Sequence, residues 1–263
     1  MEWLRDLSGA HEPVTTLLCF PPAGGGAYGY RNWARRLPAH FGVVAVELPG
    51  HGSRLGEPLV STLPGLLGGG LLGEVRTLLD RPVVVLGHSM GAIVAAALCR
   101  ALLAEDGWRP LLFVAAGCAA PDLPSVPDYD MRMTDQGILD FLRDAGGTPS
   151  GILGNEEYLA MIRPVVRADL DAIAHRDLGA RPRLGCPVRS YVGGEDPRVS
   201  ADRAAGWVAE SDGDFEQCTF PGGHFFLHDN AEMVLSRLQR DIGDVRHRAR
   251  GTRQAGSRNP VAG

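Results

Sequence analysis

Three side chains, Ser89, Asp196 and His224, have the types that acyl transfer uses, in an order, Ser then Asp then His, that one class of strand-and-helix folds employs. Ser89 lies in Gly87-His88-Ser89-Met90-Gly91, a G-x-S-x-G pentapeptide between a β-branched apolar run (83–86) and an Ala/Leu-rich stretch (92–103). A strand before and a helix after is the setting in which this pattern means a nucleophile elbow. The turn is so tight that a side chain at Gly87 or Gly91 is expected to strike the neighbouring strand or helix, and the serine is lifted above the sheet edge. The Met90 amide is then free at a helix N-terminus, where unpaired N–H groups and the helix dipole stabilise a developing oxyanion. A serine hydroxyl is a poor nucleophile until a base takes its proton, and the base needs an acid to hold its tautomer. The chain offers both in order. Y-V-G-G-E-D-P-R (191–198) ends one strand with a carboxylate at its tip, and F-P-G-G-H-F-F (220–226) ends the next with a histidine on a Gly-rich loop. Asp196 is the expected acid, with Glu195 as rival; His224 is the expected base, with His228 as rival. His88 reads as a packing residue of the elbow, and His51, His175 and His247 have no partner in the pattern.

The elements that must position these groups alternate. Strands are expected at 14–20, 43–48, 83–86, 111–117, 188–193 and 215–220, with helical segments between most of them. This rhythm predicts an α/β fold with a mostly parallel sheet and helices on both faces. The Gly-rich loop at 21–30 follows the first of these strands and contains neither G-K-[ST] nor G-x-G-x-x-G, so it reads as an approach loop carrying a second oxyanion amide, not a phosphate cradle. The crossover at 60–79 carries Gly65, Gly68, Gly69, Gly70 and Gly73. Each glycine costs a helix up to ~1 kcal/mol relative to alanine, so that helix is expected to be broken or to start late. Residues 121–183 interrupt the rhythm with two helical patterns, 134–144 and 155–176, and no strand between. The second has Asn155 as N-cap, an apolar face through Leu159, Ile162, Val166 and Ile173, and a kink expected at Pro164. Such an insertion is most simply a lid over the strand ends, and its 146–151 linker, rich in Gly and Ser, predicts a mobile gate.

Composition narrows the classes of function. The 263 residues, 44% of them hydrophobic, suffice for a single domain, here 1–243, with the insertion at about 121–183. No apolar run reaches the ~20 residues needed to cross a bilayer, and the N-terminus has neither a basic start nor an apolar signal core. The five cysteines are odd in number and far apart, as expected of small buried hydrophobes in a reducing cytoplasm. No Cys/His spacing suggests a metal site, and no cofactor is expected. All 26 basic residues are arginine, which removes every lysine-based mechanism. The net charge is −5, and the segment from 243 onward holds five arginines against one aspartate, leaving about −9 on the body. Nucleic acid is therefore not the expected partner. Residues 244–263 lack apolar periodicity and read as a disordered Arg-rich tail.

The phrases F-P-P-A-G-G-G-A, E-L-P-G-H-G-S-R, G-H-S-M-G-A, G-G-T-P followed by R-P-V-V-R-A-D-L, V-G-G-E-D-P-R-V and F-P-G-G-H-F-F-L together resemble the type II thioesterases of polyketide and nonribosomal peptide assembly lines. The similarity spans roughly 14–240, and the combination of phrases is far more specific than G-H-S-M-G-A alone. It implies an α/β-hydrolase fold with a helical lid, a triad on Ser89, Asp196 and His224, and oxyanion amides on Ala23 and Met90. It further implies a discrete, monomeric enzyme that removes stalled or wrong acyl groups from the phosphopantetheine arm of acyl- or peptidyl-carrier domains, with no membrane or nucleic-acid partner. The Gly-rich run at 66–73 departs from the charged helix expected of the family. An esterase or lipase acting on free small esters, and a non-catalytic hydrolase-fold binding protein, remain the alternatives. Carrier docking on an acidic body calls for a local arginine patch, and Arg31, Arg35, Arg36, Arg54 and Arg198 are the candidates to ring the entrance.

Overall fold

The computed structural model describes residues 2–9, 12–123, 129–175 and 181–256. Strands β1 (Leu4–Asp6), β2 (Thr15–Phe20), β3 (Phe41–Val46), β4 (Val83–His88), β5 (Leu112–Ala116), β6 (Cys186–Gly193) and β7 (Ser211–Phe220) form one sheet in the order β1-β3-β2-β4-β5-β6-β7. Every neighbouring pair is parallel except β1 with β3. The short edge strand β1 was not expected. Its backbone lies beside β3, and the Glu74 carboxylate accepts the amides of Glu2, Trp3 and Leu4.

Alternate side chains of the central strands serve two cores, as parallel strands buried on both faces require. Val83 and Val85 enter one cluster, Val84 and Leu86 the other. The helices are α1 (Arg31–Ala34), α2 (Leu63–Gly68), α3 (Leu71–Arg76), α4 (Met90–Asp106), α5 (Tyr129–Arg132), α6 (Asp135–Ala145), α7 (Glu156–Ala174), α8 (Ala201–Ala205), α9 (Phe226–Asp229) and α10 (Ala231–Gly256). Helices α2, α3, α4 and α7 pack on the first face; α1 and α10 pack on the second.

The glycine-laden crossover is broken as expected. Helix α2 stops at Gly68 and α3 begins at Leu71, and the Trp3 ring lies where a Cβ on Gly69 or Gly70 would be. The break therefore makes room for the indole of Trp3, which directly precedes β1.

The insertion between β5 and β6 carries α5, α6 and α7, with no strand among its described residues. Asn155 caps α7 as expected, its Oδ1 accepting the Tyr158 amide at 3.0 Å, and Thr134 caps α6, its Oγ1 accepting the Gly137 amide at 3.0 Å. Helix α7 continues through Pro164. Its second half, with Val166, Leu170 and Ile173, belongs to the main core beside α4, and so do Leu159 of its first half and Ile138, Phe141 and Leu142 of α6. Residues 124–128 and 176–180 of the expected insertion lie outside the described residues.

The C-terminal segment corrects the sequence reading. Helix α10 runs on to Gly256, so the stretch from 244 begins as helix, not as an irregular tail. Val245 is buried in the second core, Arg248 pairs with Asp214 at 2.8 Å, and Arg246 reaches the Thr15 hydroxyl. These contacts are tertiary, which is why local composition does not reveal them. Residues 257–263 lie outside the described residues.

Candidate active site

Parallel strands deliver their C-terminal ends to one edge of a sheet, and the reactive groups gather there. Ser89 follows β4 directly, with φ 54° and ψ −120°, a conformation that non-glycine residues adopt only when the surroundings enforce it. The enforcement is steric. A Cβ on Gly87 would run into the Cα of Ala92 in α4, and one on Gly91 would run into the carbonyl oxygen of Phe20 at the end of β2. Both glycines thus let the helix start against the sheet, as the elbow pattern implied. The Met90 amide is the first of the helical N–H groups that have no intrahelical acceptor.

The loop after β6 places Asp196, and the loop after β7 places His224. His224 Nδ1 lies 2.7 Å from Asp196 Oδ2, and both side chains are buried. The other carboxylate oxygen accepts the amides of Arg198 (2.8 Å) and Val199 (3.3 Å), which fixes the plane of the carboxylate. With Nδ1–H donated to Asp196, neutral His224 presents Nε2 as an acceptor, and that buried nitrogen has no partner among protein atoms. Ser89 and His224 line the same cavity without a hydrogen bond between them. Catalytic contacts are often loose until substrate is bound.

The rivals fall elsewhere. Glu195 is exposed and makes no pair with His224. His228 is packed among Tyr30, Trp33, His88 and Phe225, and burial pushes its pKa down. His88 is the packing residue it was read to be, with an added task. Its Nε2–H donates to the carbonyl of His224 at 2.8 Å, so it holds the loop that carries the base. Burial, then the nearby rings of His224 and His228, drives its pKa well below 6.5 and keeps it neutral.

Sequence reasoning missed a second buried pair. His51, which had no partner in the pattern, meets Asp169 of α7: Nε2 lies 2.9 Å from Asp169 Oδ2 and Nδ1 lies 3.0 Å from the carbonyl of Pro49. Both ring nitrogens face acceptors, which suits the imidazolium. Burial opposes that charge, but the hydrogen bond and the charge of Asp169 outweigh it, and the pKa is raised above 6.5. The same Asp169 oxygen accepts the amide of Gly24 at 2.7 Å. Gly24 has φ +73°, and a Cβ there would sit 2.9 Å from Val166 Cγ2. Helix α7 therefore grips the loop that carries Ala23. The pair is separated by 118 positions, so no local pattern could signal it.

Two cavities meet at the serine. One, of about 200 Å³, is bounded by Ser89, Met90, Phe141, Arg132, Arg198 and His224. The other, of about 170 Å³, is bounded by Ser89, Ala23, Leu142, Tyr158, Phe225 and His224. Met90 lines the first of these cavities and Ala23 the second. A larger cavity, about 790 Å³, lies between α2 and the end of α7 and contains neither Ser89 nor His224. No group of three His, Cys, Asp or Glu among the described residues is placed to hold a metal ion. No helix among them is long and apolar enough to cross a membrane.

Of the arginines expected to ring the entrance, Arg54 is corrected. It is buried, its guanidinium lies 4.4 Å over the Trp3 ring, and it binds Glu57 and the carbonyl of Glu47. Arg198 turns inward onto Phe141. Arg31, Arg35 and Arg36 are exposed.

The chain resembles known proteins over most of its length. A family model described as a thioesterase domain matches residues 15–242. The linear gramicidin dehydrogenase LgrE of Brevibacillus parabrevis is 32% identical over 240 residues, which are 90% of this chain and 91% of that protein. A probable cadicidin biosynthesis thioesterase of Streptomyces griseus is 34% identical over 243 residues, 90% of this chain and 64% of that protein. Among solved structures, the type II thioesterase BorB from the borrelidin biosynthetic cluster aligns with a TM-score of 0.81 at 30% identity, covering 91% of this chain and 97% of that one.

Proposed function

The chain belongs to the thioesterase domain family, and from that premise we propose that it hydrolyses acyl thioesters on the phosphopantetheine arm of carrier domains in a polyketide or nonribosomal peptide assembly line. The observation that carries the reading is the Asp196–His224 pair, whose bare Nε2 faces the cavity that holds Ser89 on a strained elbow.

In this reading His224 Nε2 takes the proton of Ser89 Oγ as the oxygen attacks the thioester carbonyl. The resulting oxyanion is held by the amides of Ala23 and Met90. The C–S bond breaks, and the thiol departs with the proton from the His224 imidazolium. A water then gives a proton to His224 and attacks the acyl-serine. The carboxylic acid leaves, and Ser89 recovers its proton. Asp196 stays ionised throughout and stabilises the imidazolium. A thiol is a good leaving group, so general-acid assistance is asked to contribute less than in amide cleavage.

The carrier domain docks on the segment that follows the oxyanion loop, where exposed Arg31, Arg35 and Arg36 supply local positive charge on an acidic protein. The buried free thiols fit the reducing cytoplasm in which such assembly lines work.

The test is to incubate the protein with an acyl-phosphopantetheinyl carrier protein and weigh the carrier. Loss of the acyl mass, with kcat/KM falling more steeply with salt than for a short free thioester, supports the proposal. Equal kcat/KM and equal salt dependence for carrier-bound and free thioesters would point to a small-ester hydrolase.

A further inference from the structure

Three arginines, Arg132, Arg198 and Arg203, line the cavity that contains Ser89 and are left unused by the mechanism. The Arg198 guanidinium lies 4.0 Å over the ring of Phe141 and walls the cavity of about 200 Å³ that contains Ser89 and His224. Its Nε and Nη1 are buried and have no hydrogen-bond partner, and no carboxylate among the described residues pairs with it. The neighbouring charges do not resolve this. Arg132 lines the same cavity and leans on Asp144, with 3.7 Å between them, while Asp196 turns its oxygens to His224 and to backbone amides. Burial first, and then the charge of Arg132, pushes the Arg198 pKa down to about 10, partly offset by Asp196 and Asp144. A guanidinium that stays charged while its protons lack acceptors is costly, and a leucine or methionine would cover Phe141 without that cost. The arrangement makes physical sense when an anion completes it.

We propose that Arg198, supported by Arg132, forms a subsite for a carboxylate on the acyl group, so that the enzyme accepts short dicarboxylic acyl thioesters of the malonyl or succinyl type. This rests on the thioesterase reading above. A phosphate could satisfy the same donors, but the phosphate of the arm is separated from the sulfur by the whole pantetheine chain. Arg198 and Ser89 line one small cavity. That shared cavity, of about 200 Å³, places the anion on a short acyl group and not at the far end of the pantetheine chain.

The experiment compares malonyl and propionyl thioesters of N-acetylcysteamine, which carries no phosphate, in the wild type and in Arg198→Met, which keeps the packing on Phe141. The malonyl-to-propionyl ratio of kcat/KM is expected to fall about ten- to hundredfold in the variant, the range for a charge-assisted hydrogen bond. Labelling of Ser89 by a fluorophosphonate checks that the variant is folded. In the wild type alone, methylmalonate should inhibit propionyl thioester hydrolysis more strongly than isobutyrate. An unchanged ratio in the labelled variant, or equal inhibition by the two acids, overturns the subsite. If Arg198→Met instead alters the preference between propionyl-pantetheine and propionyl-phosphopantetheine, the anion is the arm phosphate and the acyl assignment is wrong. If the wild type hydrolyses no thioester, the thioesterase reading falls, and this inference with it.

Discussion

Asp169→Asn is the most informative single change outside the three reactive side chains. In the structure one buried oxygen, Asp169 Oδ2, accepts both the Gly24 amide (2.7 Å) and His51 Nε2 (2.9 Å). Asparagine keeps the shape and an acceptor but removes the charge. A charged hydrogen bond contributes about 1.5–3 kcal/mol and a neutral one about 0.5–1.5, so two weakened bonds cost about 2 kcal/mol. For a chain of this size that lowers Tm by about 4–8 °C. Because Asp169 raises the pKa of His51 above 6.5, the stability it provides is fully present below pH 6.5 and is lost as pH rises through the folded-state value. The deficit of the variant should therefore be larger at pH 6 than at pH 9. The kinetic effect follows from position. Gly24 adjoins Ala23, and losing one oxyanion donor costs about 10²–10³ in kcat. A loosened donor is expected to cost about ten- to hundredfold in kcat with little change in KM. Thiol release measured across substrate concentrations separates the two constants. If Tm falls as stated while kcat stays within twofold, the pair only staples α7 to the sheet, and the argument that it positions the oxyanion loop is refuted.

Asp196→Asn should lower kcat by orders of magnitude while Glu195→Gln stays near wild type; the reverse pattern would transfer the acid role to Glu195. Burial lowers the pKa values of His88 and His228 below 6.5, so both are neutral when folded and take up protons on unfolding. Urea unfolding should show stability declining as pH falls below 6.5, by up to about 1.4 kcal/mol per pH unit for each histidine, and a flat profile would contradict the neutral assignment. Hydrogen exchange should open α6 and α7 of the insertion more readily than β4, which is buried at every position; equal protection would remove the gate.

The proposed triad is legible in the sequence because each member sits in a glycine-rich phrase at a strand end, and such phrases exist for local reasons. Gly87 and Gly91 are excluded from bearing a Cβ by backbone atoms of Ala92 and Phe20, so the elbow is written in five consecutive residues. The cap Asn155 was legible for the same reason. What depends on distant partners was not. His51 and Asp169 meet across 118 positions. Arg54 has the spacing of an entrance residue, yet Trp3 and Glu57 draw it into the structure. The three-residue strand β1 is too short for an alternating pattern and exists because β3 and Glu74 receive its backbone. The end of α10 shows no apolar periodicity and is held by Val245, Arg246 and Arg248.

The central claim is that the acyl group passes through an ester on Ser89, and intact-mass analysis of enzyme quenched early in turnover tests it directly. The account predicts a transient adduct of the acyl mass on the peptide containing Ser89, decaying as free acid appears, and neither adduct nor turnover in Ser89→Ala. An adduct on another residue, or thioester hydrolysis that persists in Ser89→Ala, would contradict it.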